Sequence, residues 1–222
     1  MNREILRCYL VAGTQDCRHL PEYKQSPQVA LLTQLEAALQ QGVTCYQFRE
    51  KGTFSLQDPQ QIEQLASECQ VLCRQYNVPF IVNNEVWLAE KLHADGIHVG
   101  QKDCPVEQVV QYLSHSMLIG LSVNTLAQAL QHNTTSDVNY YGCGPIFPTQ
   151  SKSDAEQAVG IEFIQRLRES GITKPLVAIG GIKAEHAKPL CQAGADGVAV
   201  ISTIMQAEDL SGTIQTILRG KK

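Results

Sequence analysis

The 222-residue chain has no run of Lys or Arg and carries a net charge of −4, so it offers no electrostatic footprint for nucleic acid or an anionic membrane. No apolar stretch approaches the ~20 residues that span a bilayer. The N-terminal Met1-Asn2-Arg3-Glu4-Ile5-Leu6-Arg7 lacks the long apolar core of a signal peptide. These absences predict a cytoplasmic protein that handles small molecules rather than polymers. CxxC pairs are missing too. The eight cysteines are scattered, and Cys69 and Cys73, four apart on a predicted helix, have no second Cys or His pair to complete a zinc site. Reduced, partly buried thiols are the expectation. No low-complexity segment or linker interrupts the pattern, and the length suits one domain over 1–222.

What is present is an alternation of short apolar runs with longer segments of helical period, the signature of βα units around a parallel sheet. The runs are Cys8 to Ala12, Cys45 to Phe48, Phe80 to Val82, Gly96 to Val99, Met117 to Leu121, Tyr140 to Cys143, Leu176 to Ile179 and Val198 to Ile201. Helices are predicted over Pro27 to Gln41, Pro59 to Tyr76, Glu85 to His93, Pro105 to Ser114, Thr125 to Asn133, Gly160 to Ser170 and Lys183 to Ala193, with a last segment ending near Leu218. Pro59 and Pro105 suit helix starts. Eight of each predicts an α/β fold of the closed (β/α)8 TIM-barrel type. Ala94-Asp95-Gly96 recurs as Ala195-Asp196-Gly197, either a weak trace of duplication or the same helix-to-strand turn used twice.

In such a barrel the chemistry sits where strands end. Pro175 to Ile182 runs an apolar strand into Gly180 and Gly181, and Gly197 to Ser202 follows after one helix. Glycines admit backbone N–H groups close to an anion, and the loops after the seventh and eighth strands are where phosphates commonly bind. A phosphorylated small molecule is therefore expected. Arg49 and Lys51, two apart, project to one face if the second strand continues, and can hold a polyphosphate; equally they are solvated charges at a strand end. Lys152 adds a third cation on another loop. Asp103 is either a hard-cation ligand or a cap for the helix at Pro105. His98 is either a base facing the interior or a packed, hydrogen-bonded core histidine. Thr149 to Ala158 is polar and long enough for an active-site lid.

The strings Gln47-Phe48-Arg49-Glu50-Lys51, Ile81-Val82-Asn83-Asn84, Asp95 to Asp103, Ile119-Gly120-Leu121-Ser122, Gly144 to Lys152, Ala178 to Ile182 and Val200 to Ile204, in this order, resemble the thiamine phosphate synthase family over Tyr9 to Ala207. The resemblance implies a (β/α)8 enzyme, and a homodimer, that joins hydroxymethylpyrimidine diphosphate to a thiazole phosphate, giving thiamine monophosphate and diphosphate with Mg2+. It implies that Gln47, Arg49, Lys51, Asn83, Ser122 and Lys152 hold the pyrimidine diphosphate, with Phe48 and Glu50 in the same stretch. Thr149, Ser151, Gly181, Ile201 and Ser202 would hold the thiazole phosphate, with Gln150 a further substrate-binding residue in the same stretch. Asp103 and Asn84 would hold the magnesium, and Arg49, Lys51 and Lys152 would carry the charge of catalysis.

Three positions depart from the family pattern. Asn84 stands where the family usually has a metal-binding Asp, Val11-Ala12-Gly13 replaces a usual Thr-Asp ending, and Ser151 replaces a Thr. An Asn carbonyl ligates Mg2+ without bringing charge, which predicts weaker metal binding. Two other readings remain: a thiazole tautomerase-like barrel, which shares the glycine pocket but needs an acid or base, and a non-catalytic binder of thiamine precursors.

Overall fold

The computed structural model describes residues 1–149 and 157–220. Eight parallel strands close in sequence order into a barrel: β1 (Cys8–Ala12), β2 (Cys45–Phe48), β3 (Phe80–Asn83), β4 (Gly96–Val99), β5 (Leu118–Val123), β6 (Tyr140–Cys143), β7 (Leu176–Ile179) and β8 (Gly197–Val200), with β8 pairing back onto β1. The helices are α1 (Pro27–Gln40), α2 (Pro59–Gln75), α3 (Val86–Leu92), α4 (Val106–Tyr112), α5 (Leu126–Gln131), α6 (Glu162–Glu169), α7 (Ala187–Gln192), α8 (Ser202–Met205) and α9 (Leu210–Arg219). None of the described helices is long and apolar enough to cross a membrane.

Local chemistry sets the helix starts. Ser26 accepts from the N–H of Val29 at 3.2 Å ahead of Pro27, and Asp58 accepts from Gln60 N–H at 3.0 Å ahead of Pro59. Each cap satisfies an orphan donor while the proline supplies the first helical φ. Pro105 differs from expectation in standing one residue before its helix. The segment expected as one helix from Lys183 divides into a 3-10 turn, Ala184–His186, and α7. Between β1 and α1 the chain forms two 3-10 turns, Thr14–Cys17 and Pro21–Lys24.

Strand alternation divides the core in two. Tyr9, Val11, Cys45, Ile81, Tyr140, Val177, Ala199 and Ile201 fill the barrel interior. Their strand neighbours, among them Leu10, Tyr46, Phe48, Ile97, Ile119, Tyr141 and Val198, pack outward under the helices. Each fully buried aliphatic or aromatic side chain contributes about 1.5–3 kcal/mol.

The barrel floor repeats one device four times. The residue before each even strand takes the backbone N–H of the residue opening the preceding odd strand, or the next one on it, and donates its own N–H back. Thr44 does so to Cys8 at 2.9 Å both ways, and Asp95 to Phe80 at 2.8 and 3.0 Å. Asn139 does so to Ile119 at 2.7 and 2.8 Å, and Asp196 to Leu176 at 2.9 and 2.7 Å. The repeated Ala-Asp-Gly is thus a helix-to-strand turn with a fixed job, shared by Thr and Asn at the other two positions. Asp196 is further clasped by Arg3 at 3.0 Å and Arg168 at 2.9 Å.

Candidate active site

At the C-terminal mouth of the strands lies a cavity of about 540 Å³, within the size range of small-molecule sites. Arg49, Lys51, Asn83, Asn84, Asp103, Ser122, Thr149, Gly181, Ile201 and Ser202 all line it. The two cations after β2 and the glycines after β7 therefore share one space.

Position along β2 explains which residues of the Gln47 to Lys51 string reach it. The inward set is Gln47, Arg49 and Lys51, because Cys45 on the same face packs inside the barrel. Arg49 is 5% exposed yet borders the cavity, and Gln47 lies beneath it, donating to Tyr9 Oη at 2.9 Å. The side chains of Phe48 and Glu50 point the other way, so the structure does not bring them to the cavity with the rest of the string. Phe48 packs in the outer core near Phe80, and Glu50 accepts from the Thr14 N–H at 3.0 Å, the Thr14 hydroxyl and the Leu56 N–H at 2.7 Å. Burial pushes the Glu50 carboxyl above its ordinary range. Beside it Asp16 accepts from Gly13 N–H at 3.0 Å and from Gln15 at 2.8 Å, and burial raises it to about 6. This cluster anchors the β1 and β2 loops beneath the cations.

On the opposite side β5 extends two residues beyond the expected run, so Ser122 lies inside the strand, paired in register with Gly142. His98 is the packed, hydrogen-bonded histidine of one reading, bonded to Tyr140 Oη at 3.1 Å and Ser122 Oγ at 2.9 Å, and it also borders the cavity. Its inward strand position is the signal that marks it. Gln101, Lys102 and Asn124 also line the cavity, and Gln101 Nε2 donates to Ser122 O at 2.7 Å.

The glycine turn is built as a close approach. Gly180 and Gly181 have φ of +100° and +63°, and a Cβ on Gly181 would lie 2.6 Å from Pro148 O. Such backbone suits glycine and opens its N–H groups to an anion. Gln150, Ser151 and Lys152, with most of the expected lid, lie outside the described residues.

Asn84 and Asp103 face the same cavity. Asn84 adopts φ +63°, a left-handed conformation Asn tolerates, and Asp103 accepts from Gly100 N–H at 2.7 Å, so it braces its own loop. One carboxylate and one carboxamide oxygen facing the cavity that Arg49 and Lys51 also line are oxygen donors of the kind that suit a hard divalent cation. No group of three or more His, Cys, Asp or Glu able to hold a metal occurs among the described residues. Cys69 and Cys73 are buried free thiols, and burial pushes both up in pKa.

The sequence model of the thiamine monophosphate synthase family matches residues 8–204. Thiamine-phosphate synthase of Mannheimia succiniciproducens is 52% identical over 216 residues, covering 97% of each chain. The enzyme of that name in Helicobacter pylori is 51% identical, with 96% of each covered. Among solved structures, thiamine phosphate pyrophosphorylase from Pyrococcus furiosus superposes with a TM-score of 0.82 at 28% identity, covering 99% of this chain and 96% of that one. An orotidine 5'-phosphate decarboxylase from Pyrococcus horikoshii, 13% identical with a TM-score of 0.64, shares the fold. A family match over most of the length, joined to a cavity that gathers cations and a glycine turn, makes this chain a member of the thiamine monophosphate synthase family.

Proposed function

We propose that the chain is a cytoplasmic thiamine phosphate synthase, acting as a homodimer, that couples hydroxymethylpyrimidine diphosphate to thiazole phosphate with release of diphosphate. The observation that carries this reading is the single cavity shared by Arg49 and Lys51 on one side and Gly181 and Ser202 on the other. Two anionic substrates need two such cradles. The high identity to thiamine-phosphate synthases over nearly the whole length supports the same reading.

In this reading the bond between the pyrimidine methylene carbon and the diphosphate oxygen breaks, and its electron pair leaves with the diphosphate. The electron-rich aminopyrimidine stabilises the cationic carbon, and the thiazole nitrogen lone pair forms the new C–N bond. No general base is required. Arg49 and Lys51, with Lys152, stabilise the charge gathering on the leaving oxygens. Gly181, Ile201, Ser202, Thr149, Gln150 and Ser151 hold the thiazole phosphate in line with that carbon. Gln47, Asn83 and Ser122 orient the pyrimidine substrate. Asn84 and Asp103 would hold Mg2+, which when bound supplies charge neutralisation to the diphosphate.

Incubation of the protein with both substrates and Mg2+ tests this directly: thiamine phosphate and diphosphate should accumulate in equal amounts. Proton exchange on the thiazole alone would indicate the tautomerase reaction, and tight binding without turnover a sensor; either result overturns the proposal.

A further inference from the structure

Below the cavity a chain of hydrogen bonds crosses the barrel interior on five strands. Gln47 Nε2 on β2 reaches Tyr9 Oη on β1 at 2.9 Å, and Tyr9 Oη reaches Tyr140 Oη on β6 at 2.8 Å. Tyr140 Oη lies 3.1 Å from His98 Nδ1 on β4, and His98 Nε2 lies 2.9 Å from Ser122 Oγ on β5. Tyr9 and Tyr140 are each 1% exposed and Gln47 is 3% exposed, so these polar groups find their partners inside the barrel rather than in water.

The barrel makes room for this chain. In register, β4, β5 and β6 present His98, Gly120 and Tyr140 side by side. Because the middle position is glycine, the flanking side chains meet across it; a Cβ on Gly120 would run into both the Tyr140 ring and His98 Nδ1. One level up, a Cβ on Gly142 would lie 2.9 Å from His98 Cε1.

One end of the chain sets its polarity. An amide nitrogen only donates, so Tyr9 Oη accepts from Gln47; of the two neighbours that could take the Tyr9 proton, the Tyr140 oxygen at 2.8 Å is a better acceptor than the Cys45 sulfur. Tyr140 in turn gives its proton to His98 Nδ1. The imidazole proton then resides on Nε2 and is donated to Ser122 Oγ, which leaves the Ser122 hydroxyl proton to be offered elsewhere. Both His98 and Ser122 border the cavity. Burial pushes both phenols well above their ordinary range, so they keep the protons this order requires.

We infer that Tyr9, Tyr140 and His98 are positioning residues: a buried, one-way hydrogen-bond chain that fixes His98 as the neutral Nε2–H tautomer and makes the Ser122 hydroxyl a donor to the diphosphate-bearing substrate. The substrate half of this statement rests on the proposed synthase reading; the tautomer half does not.

Long-range 1H–15N correlation on protein labelled at histidine, with the His98 signals assigned by their loss in His98→Asn, tests the chain in the free protein at neutral pH. The expected result is a proton on Nε2 and none on Nδ1. A proton on Nδ1, or on both nitrogens, would mean that the Gln47 amide does not set the direction and would overturn the proposal. Tyr140→Phe should change the His98 nitrogen shifts and lower kcat about tenfold, the effect of one hydrogen bond. The Tyr140→Phe, Ser122→Ala double variant should be no slower than Ser122→Ala alone. Unchanged His98 shifts, or losses that multiply, count against it. Tyr9→Phe supplies the same readouts at the next link should Tyr140→Phe fold poorly. If the wild-type protein does not couple the two substrates, the synthase reading falls while the tautomer measurement still decides the chain.

Discussion

Glu50 holds Thr14 twice, through the Thr14 backbone N–H at 3.0 Å and the Thr14 hydroxyl, although the two residues lie 36 positions apart. With the bond from Leu56 N–H, this ties the loop carrying Arg49 and Lys51 to the end of β1. Glu50→Ala leaves these donors without an acceptor, at a cost of roughly 1–3 kcal/mol. Chemical denaturation should show that loss together with a raised KM for the pyrimidine diphosphate. Unaltered stability with a reduced kcat would instead make Glu50 a substrate contact.

Asp16 is raised from 3.8 to about 6 by burial. Because the folded protein holds this proton more tightly than the unfolded chain does, stability falls as pH rises from about 4 through 6, by up to about 3 kcal/mol. Asp16→Asn carries no titrating proton, so its urea midpoint should change less than the wild type's across that window. Parallel curves for the two proteins would show that Asp16 ionises without penalty.

Arg49 and Lys51 reach the cavity from the same face of β2's continuation. Replacing either with Ala should lower kcat by about 10²-fold, the scale of removing one contact to charge that develops in the transition state. Arg49→Lys should recover only part of the loss, since an ammonium cannot reproduce a planar fork on a diphosphate. Steady-state kinetics with saturating thiazole phosphate measure this.

Asn84 borders the cavity with Asp103 at a φ of +63°, a conformation Asp also accepts. Asn84→Asp adds a charge to the oxygen set without altering the turn. The Mg2+ concentration giving half-maximal rate should fall several-fold. An unmoved magnesium titration would separate this position from the metal.

Gly181→Ala forces a Cβ to within 2.6 Å of Pro148 O and 2.8 Å of Phe147 Cβ at φ +63°. Beyond a stability loss of more than about 1 kcal/mol, the shifted turn should raise KM for the thiazole phosphate and leave KM for the pyrimidine diphosphate nearly unchanged. Equal effects on both would place the glycine turn outside the thiazole site.

Strand and helix positions were legible because each βα unit repeats a short apolar run and a longer helical period; β1, β2, β4, β6 and β7 begin and end where the runs do. The tight turn after β7 was legible from two consecutive glycines. Individual side chains were less so. Treating Gln47 to Lys51 as one contiguous binding stretch ignored strand alternation, which sends Phe48 and Glu50 away from the cavity. Ser122 was expected beyond its strand and lies within it.

The amino-acid sequence alone determined the order of eight strands and helices, the glycine turn and the cations at a strand end, because these are properties of neighbouring residues and their period. Only the closed barrel decided that Tyr9, Gln47, His98, Ser122 and Tyr140 meet in one hydrogen-bond chain. Their contact depends on register across strands far apart in sequence, and on a glycine standing between two of them; neither is written in any local pattern.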